Sequence, residues 1–466
     1  MAPTTSNTRP AVTAGAGRTF DVAAFIDGRA LSAFSKRLIL LSWLITFFDG
    51  FDMQVIAFTA PYMRDEMGLN LKMMGNVISA GTFGMVLGGL GFSWLGDRVG
   101  RRPMVLTTAF LFGLLTIGLA FARTYEQLML MRFVDGLAIG GVLPLAWALN
   151  IEFVPKRMRA LVVTIIMMGY SIGSAVSGPL TNLIAPVHGW QGVYIVGGVG
   201  SLVAATLLLV FLPESVRFLV AKGRRPETVA ATLRRVEPGL DVTSADRFVL
   251  GDEGQGRRFR PAELFRNGLA PVTLLIWTGY FASSLAIYFS SSWAPTILEA
   301  VGIPRSTSAI VASFSGLTGA VGGIVLIRLT ERHGPGWIAI YPLLAIPMLL
   351  MTGFGLWPQA FFLPAVVIGA LLIGGGHTAV ISITGIYYPS SMRASGGGWA
   401  ASMGKAGGVL GPILGALVLS SGLPALRSYA ILAFCPLLLS LCLLALGKVV
   451  HRRVALAPAP DVMTAP

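Results

Sequence analysis

Asp49 and Asp52, within Phe47-Phe48-Asp49-Gly50-Phe51-Asp52, sit in the middle of an apolar run from about Leu38 to Pro61. Residues three apart share one side of a helix. A carboxylate near the centre of a bilayer costs at least ~2.5–3.5 kcal/mol, so two of them call for a chemical reason. Neighbouring carboxylates do not both ionise readily in a low dielectric, and one of the pair is expected to hold a proton near neutral pH. Proton or cation handling is the chemistry this predicts. The plainer alternative is a pair that fixes helix packing through hydrogen bonds.

Arg132 and Asp135 repeat the same spacing in a later apolar run. They either satisfy each other, or Arg132 holds Asp49 or Asp52 deprotonated until a substrate arrives. Lys405, in another apolar run, suits the carboxylate of a cargo, or snorkels towards the surface near Arg393. His377 suits a phenolic or second carboxyl group, a proton relay, or a simple hydrogen bond. Tyr280, Tyr288, Phe51 and Trp399 offer faces on which an aromatic ring would stack, although any one aromatic in such a run more often serves as core or lipid contact. Ser283, Ser284 and Ser290–Ser292 make the run around Tyr280 and Tyr288 polar enough to face a cavity. Enzyme chemistry finds no support. His188, His333, His377 and His451 lack metal-ligand spacing, and no catalytic triad is apparent. Gly404-Lys405-Ala406 lacks the Ser or Thr of a phosphate loop, and Trp399 stands where its first glycine belongs. No metal and no cofactor are expected.

Such residues need membrane-crossing helices to position them. The chain of 466 residues is 54% apolar and only 12% charged, with a mean hydropathy of +0.74. Soluble domains carry about 25% charged residues. Runs long enough to span about 30 Å of hydrocarbon fall near 38–61, 73–95, 103–122, 127–150, 160–184 and 191–212, then near 271–297, 307–329, 336–355, 359–387, 395–420 and 424–447. The fold class predicted is an all-α membrane protein with twelve transmembrane helices in two pseudo-symmetric six-helix bundles. Residues 1–37 form an N-terminal tail, 38–212 one bundle, 213–270 a linker of surface helix and flexible chain, 271–447 the second bundle, and 448–466 a C-terminal tail. The tail has no signal-peptide core, and the first apolar run is too long to be one. Gly81, Gly84, Gly88, Gly89 and Gly91 read as positions of close helix packing.

Of the 35 Lys and Arg, only Arg64, Lys72, Arg123, Arg305 and Arg427 lie on one side of this arrangement. Arg132 and Lys405 fall inside spans, and all the others lie on the side of the tails and linker, which is therefore cytoplasmic. The net charge of +14 is thus a topology signal with some attraction to anionic lipid, and nucleic acid is not a partner. The two halves also repeat. Leu95-Gly96-Asp97-Arg98-Val99-Gly100 returns as Leu329-Thr330-Glu331-Arg332-His333-Gly334, and Val154 to Ala160 returns as Tyr388 to Ala394, each displaced by the same interval. Ser177-Gly178-Pro179 returns, nearly in step, as Leu410-Gly411-Pro412.

Gly96-Asp97-Arg98-Val99-Gly100-Arg101-Arg102 resembles the loop signature of the major facilitator superfamily, with Ser93 where its first glycine usually stands. Arg132 to Gly136 followed by Gly140 resembles its fourth-helix signature, and Glu152, Pro155 and Arg159 fit the loop that follows. Pro213-Glu214-Ser215 resembles the motif after the sixth helix. Asp49-Gly50-Phe51-Asp52 looks like the helix-one motif of the aromatic acid:proton symporters, and so does the stretch from Tyr388 to Lys405, where Lys405 replaces the family's Arg. The resemblance implies alternating access, with gating by Asp97, Arg98, Arg101, Arg102, Glu152 and Arg159 and their repeat counterparts Glu331 and Arg393. It implies a cavity lined by the first, fourth, seventh and tenth helices. The expected protein is a monomer of a bacterial inner membrane, both termini cytoplasmic, importing a small organic anion with protons. An aromatic carboxylate or ring-cleavage acid is the expected cargo. A sugar, an aliphatic acid or a drug, or a non-transporting sensor on the same scaffold, are the alternatives.

Overall fold

The computed structural model describes residues 18–251, 261–266, 268–333, 335–388 and 392–456. A three-residue strand, β1 (Thr19–Asp21), leads into α1 (Val22–Asp27), where the Asp21 carboxylate accepts hydrogen bonds from the Ala23 and Ala24 N–H groups. The first half of the chain then builds α2 (Ala33–Met67), α3 (Leu71–Val99), α4 (Arg101–Leu119), α5 (Tyr125–Asn150) and α6 (Arg159–Phe211). Ser32, Asn70 and Thr124 cap α2, α3 and α5, each accepting a hydrogen bond from an N–H in the first turn. Gly100, at φ 128°, makes the tight turn between α3 and α4. The linker carries α7 (Val216–Ala221), α8 (Pro226–Val236) and a second strand, β2 (Arg247–Val249). The second half comprises α9 (Ala270–Ala300), α10 (Arg305–His333), α11 (Ile340–Gly353), α12 (Gln359–Tyr387), α13 (Arg393–Leu419), α14 (Arg427–Leu432) and α15 (Phe434–Leu456).

Among the described residues, ten stretches are long and apolar enough to cross a membrane: α2 to α6, α9, α10, α12, α13, and α14 with α15. α6 is broken at Gly189 (φ 68°, ψ 175°), between the two runs that the hydropathy pattern separates there. α11 belongs to a shorter apolar helix.

Between helices in lipid the attraction comes from close packing, so small residues set which helices pair. A methyl group on Gly84 would overlap the Phe133 carbonyl, and one on Gly88 the Leu137 carbonyl, which seats α3 on the backbone of α5. Gly50 and Gly173 do the same for α2 and α6. Gly404, Gly407, Gly411 and Gly415 seat α13 on α9. Of the glycines expected to pack in α3, Gly91 faces open space.

The two halves meet where α2 faces α9, α3 faces α13 and α6 faces α10. On the side away from the linker, Gln54 Nε2 donates to the Ser291 carbonyl (2.9 Å), Ser79 Oγ to the Val409 carbonyl (2.8 Å) and Asn182 Nδ2 to the Ser306 carbonyl (2.8 Å). Arg305 pairs with Asp65 across the seam at 3.0 Å and lies over the Tyr62 ring. One apolar core there draws on both halves, including Phe51, Trp190, Phe289 and Trp293. On the linker side the halves bury separate cores.

The linker side also carries a small sheet. β1 pairs in parallel with β2, tying the N-terminal segment to the linker. Asp27 accepts from the Lys156 N–H (2.9 Å), Arg157 donates to the Arg29 carbonyl, and Arg29 pairs with Glu237 at 2.6 Å.

Candidate transport site

The polar centre of the first half is assembled from α2, α4 and α5. Gly50 lets α2 lie against the Tyr170 backbone, which turns Asp49 and Asp52 inward, and both are fully buried. Arg132 Nη1 contacts Asp52 Oδ2 at 2.7 Å and Asp135 Oδ2 at 3.1 Å. Thr116 Oγ1 lies 3.5 Å from Asp52 Oδ1. The guanidinium therefore bridges two carboxylates from two helices. Asp49 stands apart: among the described residues neither of its oxygens has a hydrogen-bond partner. Three buried carboxylates thus lie in this centre, two of them on the Arg132 guanidinium.

The aromatic and basic candidates are spread more widely. Phe51 is buried in the first half with its ring against Gly197. Tyr280 donates through its hydroxyl to the Ile381 carbonyl (3.2 Å), and His377 Nδ1 lies 3.2 Å from Ser283 Oγ, so α9 and α12 are joined by both. The Tyr288 ring packs over Gly408 of α13. Trp399 stacks on Trp277 at a centroid distance of 6.0 Å and is partly exposed. Lys405 is half-buried on the α3–α13 seam. Its Nζ lies 3.4 Å from where a β-carbon on Gly89 would stand, so the missing side chain leaves room for the ammonium. Lys405 thus reaches the seam and Tyr288 packs on α13, while Tyr280, His377 and Trp399 have partners within one half and Phe51 joins the core shared by both.

The gating candidates cluster at the linker-side end. Arg101 bonds Glu152, donates to the Ala148 carbonyl (3.0 Å) and approaches exposed Asp97 at 3.9 Å. Arg102 donates to the carbonyls of Leu212 (2.7 Å) and Leu209 (2.9 Å). Arg98 lies over the Trp94 ring, Arg159 donates to the Val154 carbonyl, and Arg393 is exposed. The Glu331 side chain, and Pro389 to Ser391 of the repeated motif, lie outside the described residues. Two residues of this cluster were not singled out for a role from sequence. Glu214 Oε1 accepts from the Arg101 and Arg102 N–H groups, both at 3.1 Å, and so caps α4. Ser215 Oγ donates to Glu152 at 2.6 Å. Their signal was the Pro213-Glu214-Ser215 motif itself.

A family model described as the Major Facilitator Superfamily matches residues 42–412. The chain belongs to the Major Facilitator Superfamily. It is accordingly a multi-pass membrane transporter, and its similarity to the aromatic acid transporters runs nearly end to end. It is 32% identical to the 4-hydroxybenzoate transporter PcaK of Pseudomonas aeruginosa, over 86% of this chain and 90% of that protein. It is also 32% identical to a gallate transporter of Pseudomonas putida, over 96% and 98%. A benzoate transport protein of Acinetobacter baylyi is 29% identical over 87% and 88%. Among solved structures, the xylose transporter XylE from E. coli in a partially occluded inward open conformation superposes with a TM-score of 0.70. That match has 16% identity and covers 89% of this chain and 98% of that one. The likeness extends the family match to the fold.

Proposed function

We propose that this transporter imports an aromatic carboxylate together with protons, by alternating access. Twelve helices, six in each half, are the architecture this requires. It is supported by the ten long apolar stretches, the break of α6 at Gly189 and the shorter α11. The distribution of Lys and Arg supports a cytoplasmic linker side and cytoplasmic termini, in a bacterial inner membrane. A monomer contains every residue the reading needs. The tied far side and the separate linker-side cores favour an inward-facing state of the cycle.

The observation that carries the coupling is Asp49, buried with no hydrogen-bond partner among the described residues, beside an Arg132 guanidinium that is engaged by Asp52 and Asp135. Asp49 takes the proton, while Arg132 keeps Asp52 ionised and orients Asp135. Lys405 then receives the substrate carboxylate on the seam, and Tyr288 offers its ring to the substrate ring. Relatives named for 4-hydroxybenzoate, gallate and benzoate favour that cargo class over sugars and aliphatic acids.

The test is a thermal-shift screen of benzoate, 4-hydroxybenzoate and gallate against aliphatic dicarboxylates and xylose on purified protein. The aromatic acids should raise the melting temperature, and Lys405→Ala should remove the shift. Stabilisation by aliphatic acids or sugar alone would overturn the cargo assignment.

A further inference from the structure

We infer that the proton leaves Asp49 along a water-bridged polar column on the linker-side half of α2, made by Thr46, Ser42 and Asn150, and not through the seam that carries the substrate. The inference rests on the proton-coupled reading above and adds a route to it.

Asp49, Thr46 and Ser42 follow one another at intervals of three and four residues, which places them on one line along α2. All three are buried, as is Asn150 in the last turn of α5. Asn150 Nδ2 donates to Ser42 Oγ at 2.6 Å and to the Ala146 carbonyl at 2.8 Å, so α5 closes the column from the side. Four atoms along this line have no hydrogen-bond partner among the described residues: both Asp49 oxygens, Thr46 Oγ1 and Asn150 Oδ1. Buried polar atoms almost always find a partner, in protein or in ordered water.

The spacing suits water. The rise from Asp49 to Thr46 is about 4.5 Å and from Thr46 to Ser42 about 6 Å. Two hydrogen bonds of about 2.8 Å laid end to end through one water cover such a step. Hydroxyls serve here because each both accepts and donates, so a proton passed in on one side is matched by one passed out on the other. The Asp49 carboxyl gives up its proton to the first water and is left as carboxylate, and the proton emerges beyond Asn150 at the linker-side end. The charged and titratable groups near Asp49 are Asp52, Tyr170 from α6, Tyr288 from α9, and the Arg132–Asp135 pair of α5. None of them lies on the line towards Ser42. Arg132 guards the other end, and a cation there repels a proton moving the wrong way.

Thr46→Val removes the hydroxyl and keeps the shape. In reconstituted vesicles, net 4-hydroxybenzoate accumulation driven by a pH gradient should slow about tenfold. Equilibrium exchange of the same acid, which needs no proton release, should stay within about twofold. Thr46→Ser should restore net uptake, and Ser42→Ala should reproduce the split between net uptake and exchange. If Asp49→Asn stops net uptake while Thr46→Val and Ser42→Ala run at the wild-type rate, the proton leaves through the substrate seam and the column is wrong. If both variants lose exchange as severely as net uptake, these side chains only pack the helix, and the column is equally wrong. If Asp49→Asn itself keeps full gradient-driven uptake, it is the coupling reading that fails.

Discussion

Arg132 pairs with two carboxylates, while Asp49 has no hydrogen-bond partner among the described residues, and on that inequality rest the separate roles we propose for the buried charges. Removing the guanidinium leaves Asp52 and Asp135 facing each other without a cation. Breaking a buried pair in this way costs about 3–5 kcal/mol. Arg132→Ala should therefore lower the melting temperature well below that of the wild type, and adding Asp52→Asn should recover part of the loss. An unchanged melting temperature would show that the bridge contributes nothing. The four charges themselves were legible in the sequence, because a charge in an apolar run has no ordinary explanation. Their allocation was not: whether Arg132 meets Asp49 or Asp52 depends on the rotation of α2, which Gly50 sets through its contact with Tyr170. Phe51 shows the same limit, since its neighbours in sequence are the acids and its neighbour in space is Gly197.

Helices behave here as rigid elements joined at few points, and the far-side seam is held by side chains that can let go. Arg305 pairs with Asp65 across the seam and with Glu299 on its own side at 3.1 Å, so its loss removes the ion pair that links the halves there. Arg305→Ala should speed labelling of a cysteine placed at Ser291 by a membrane-impermeant thiol reagent added on the far side. The native Cys435 and Cys442 are buried and should stay silent. Labelling at the wild-type rate would mean that Arg305 does not hold the closure. At the linker side, burial pushes the Asp27 carboxyl up. The Lys156 N–H and ammonium outweigh that and hold it below the usual carboxylate range. A carboxylate with a lowered value contributes stability above its unfolded pKa of about 3.9, and loses it as pH falls through the folded value. The N-terminal clamp should thus resist proteolysis at neutral pH and loosen only in acid, whereas Asp27→Asn should loosen it throughout. Equal protease resistance in the two proteins would contradict this. Helix positions were legible because apolar runs of span length mark them, and the break at Gly189 fell between two of them. The β1–β2 pairing was not, since three-residue strands carry no periodicity of their own and their partners lie far apart in sequence.

At the scale of the molecule, the two repeated halves meet along the α2–α9, α3–α13 and α6–α10 seams, and the buried polar centre lies within the first half. The family match places the chain among transporters, and the relatives it resembles are named for 4-hydroxybenzoate and gallate. In the mechanism we propose, these are joined by an obligatory link between cargo movement and a proton on Asp49. It is tested most directly by reconstituting the protein in vesicles, without an imposed pH gradient, and following external pH as 4-hydroxybenzoate is added. Inward transport should carry protons with it and raise the external pH in step with substrate entry, and Asp49→Asn should abolish the pH change. Substrate entry with no accompanying proton movement, or proton movement that survives Asp49→Asn, would contradict the account.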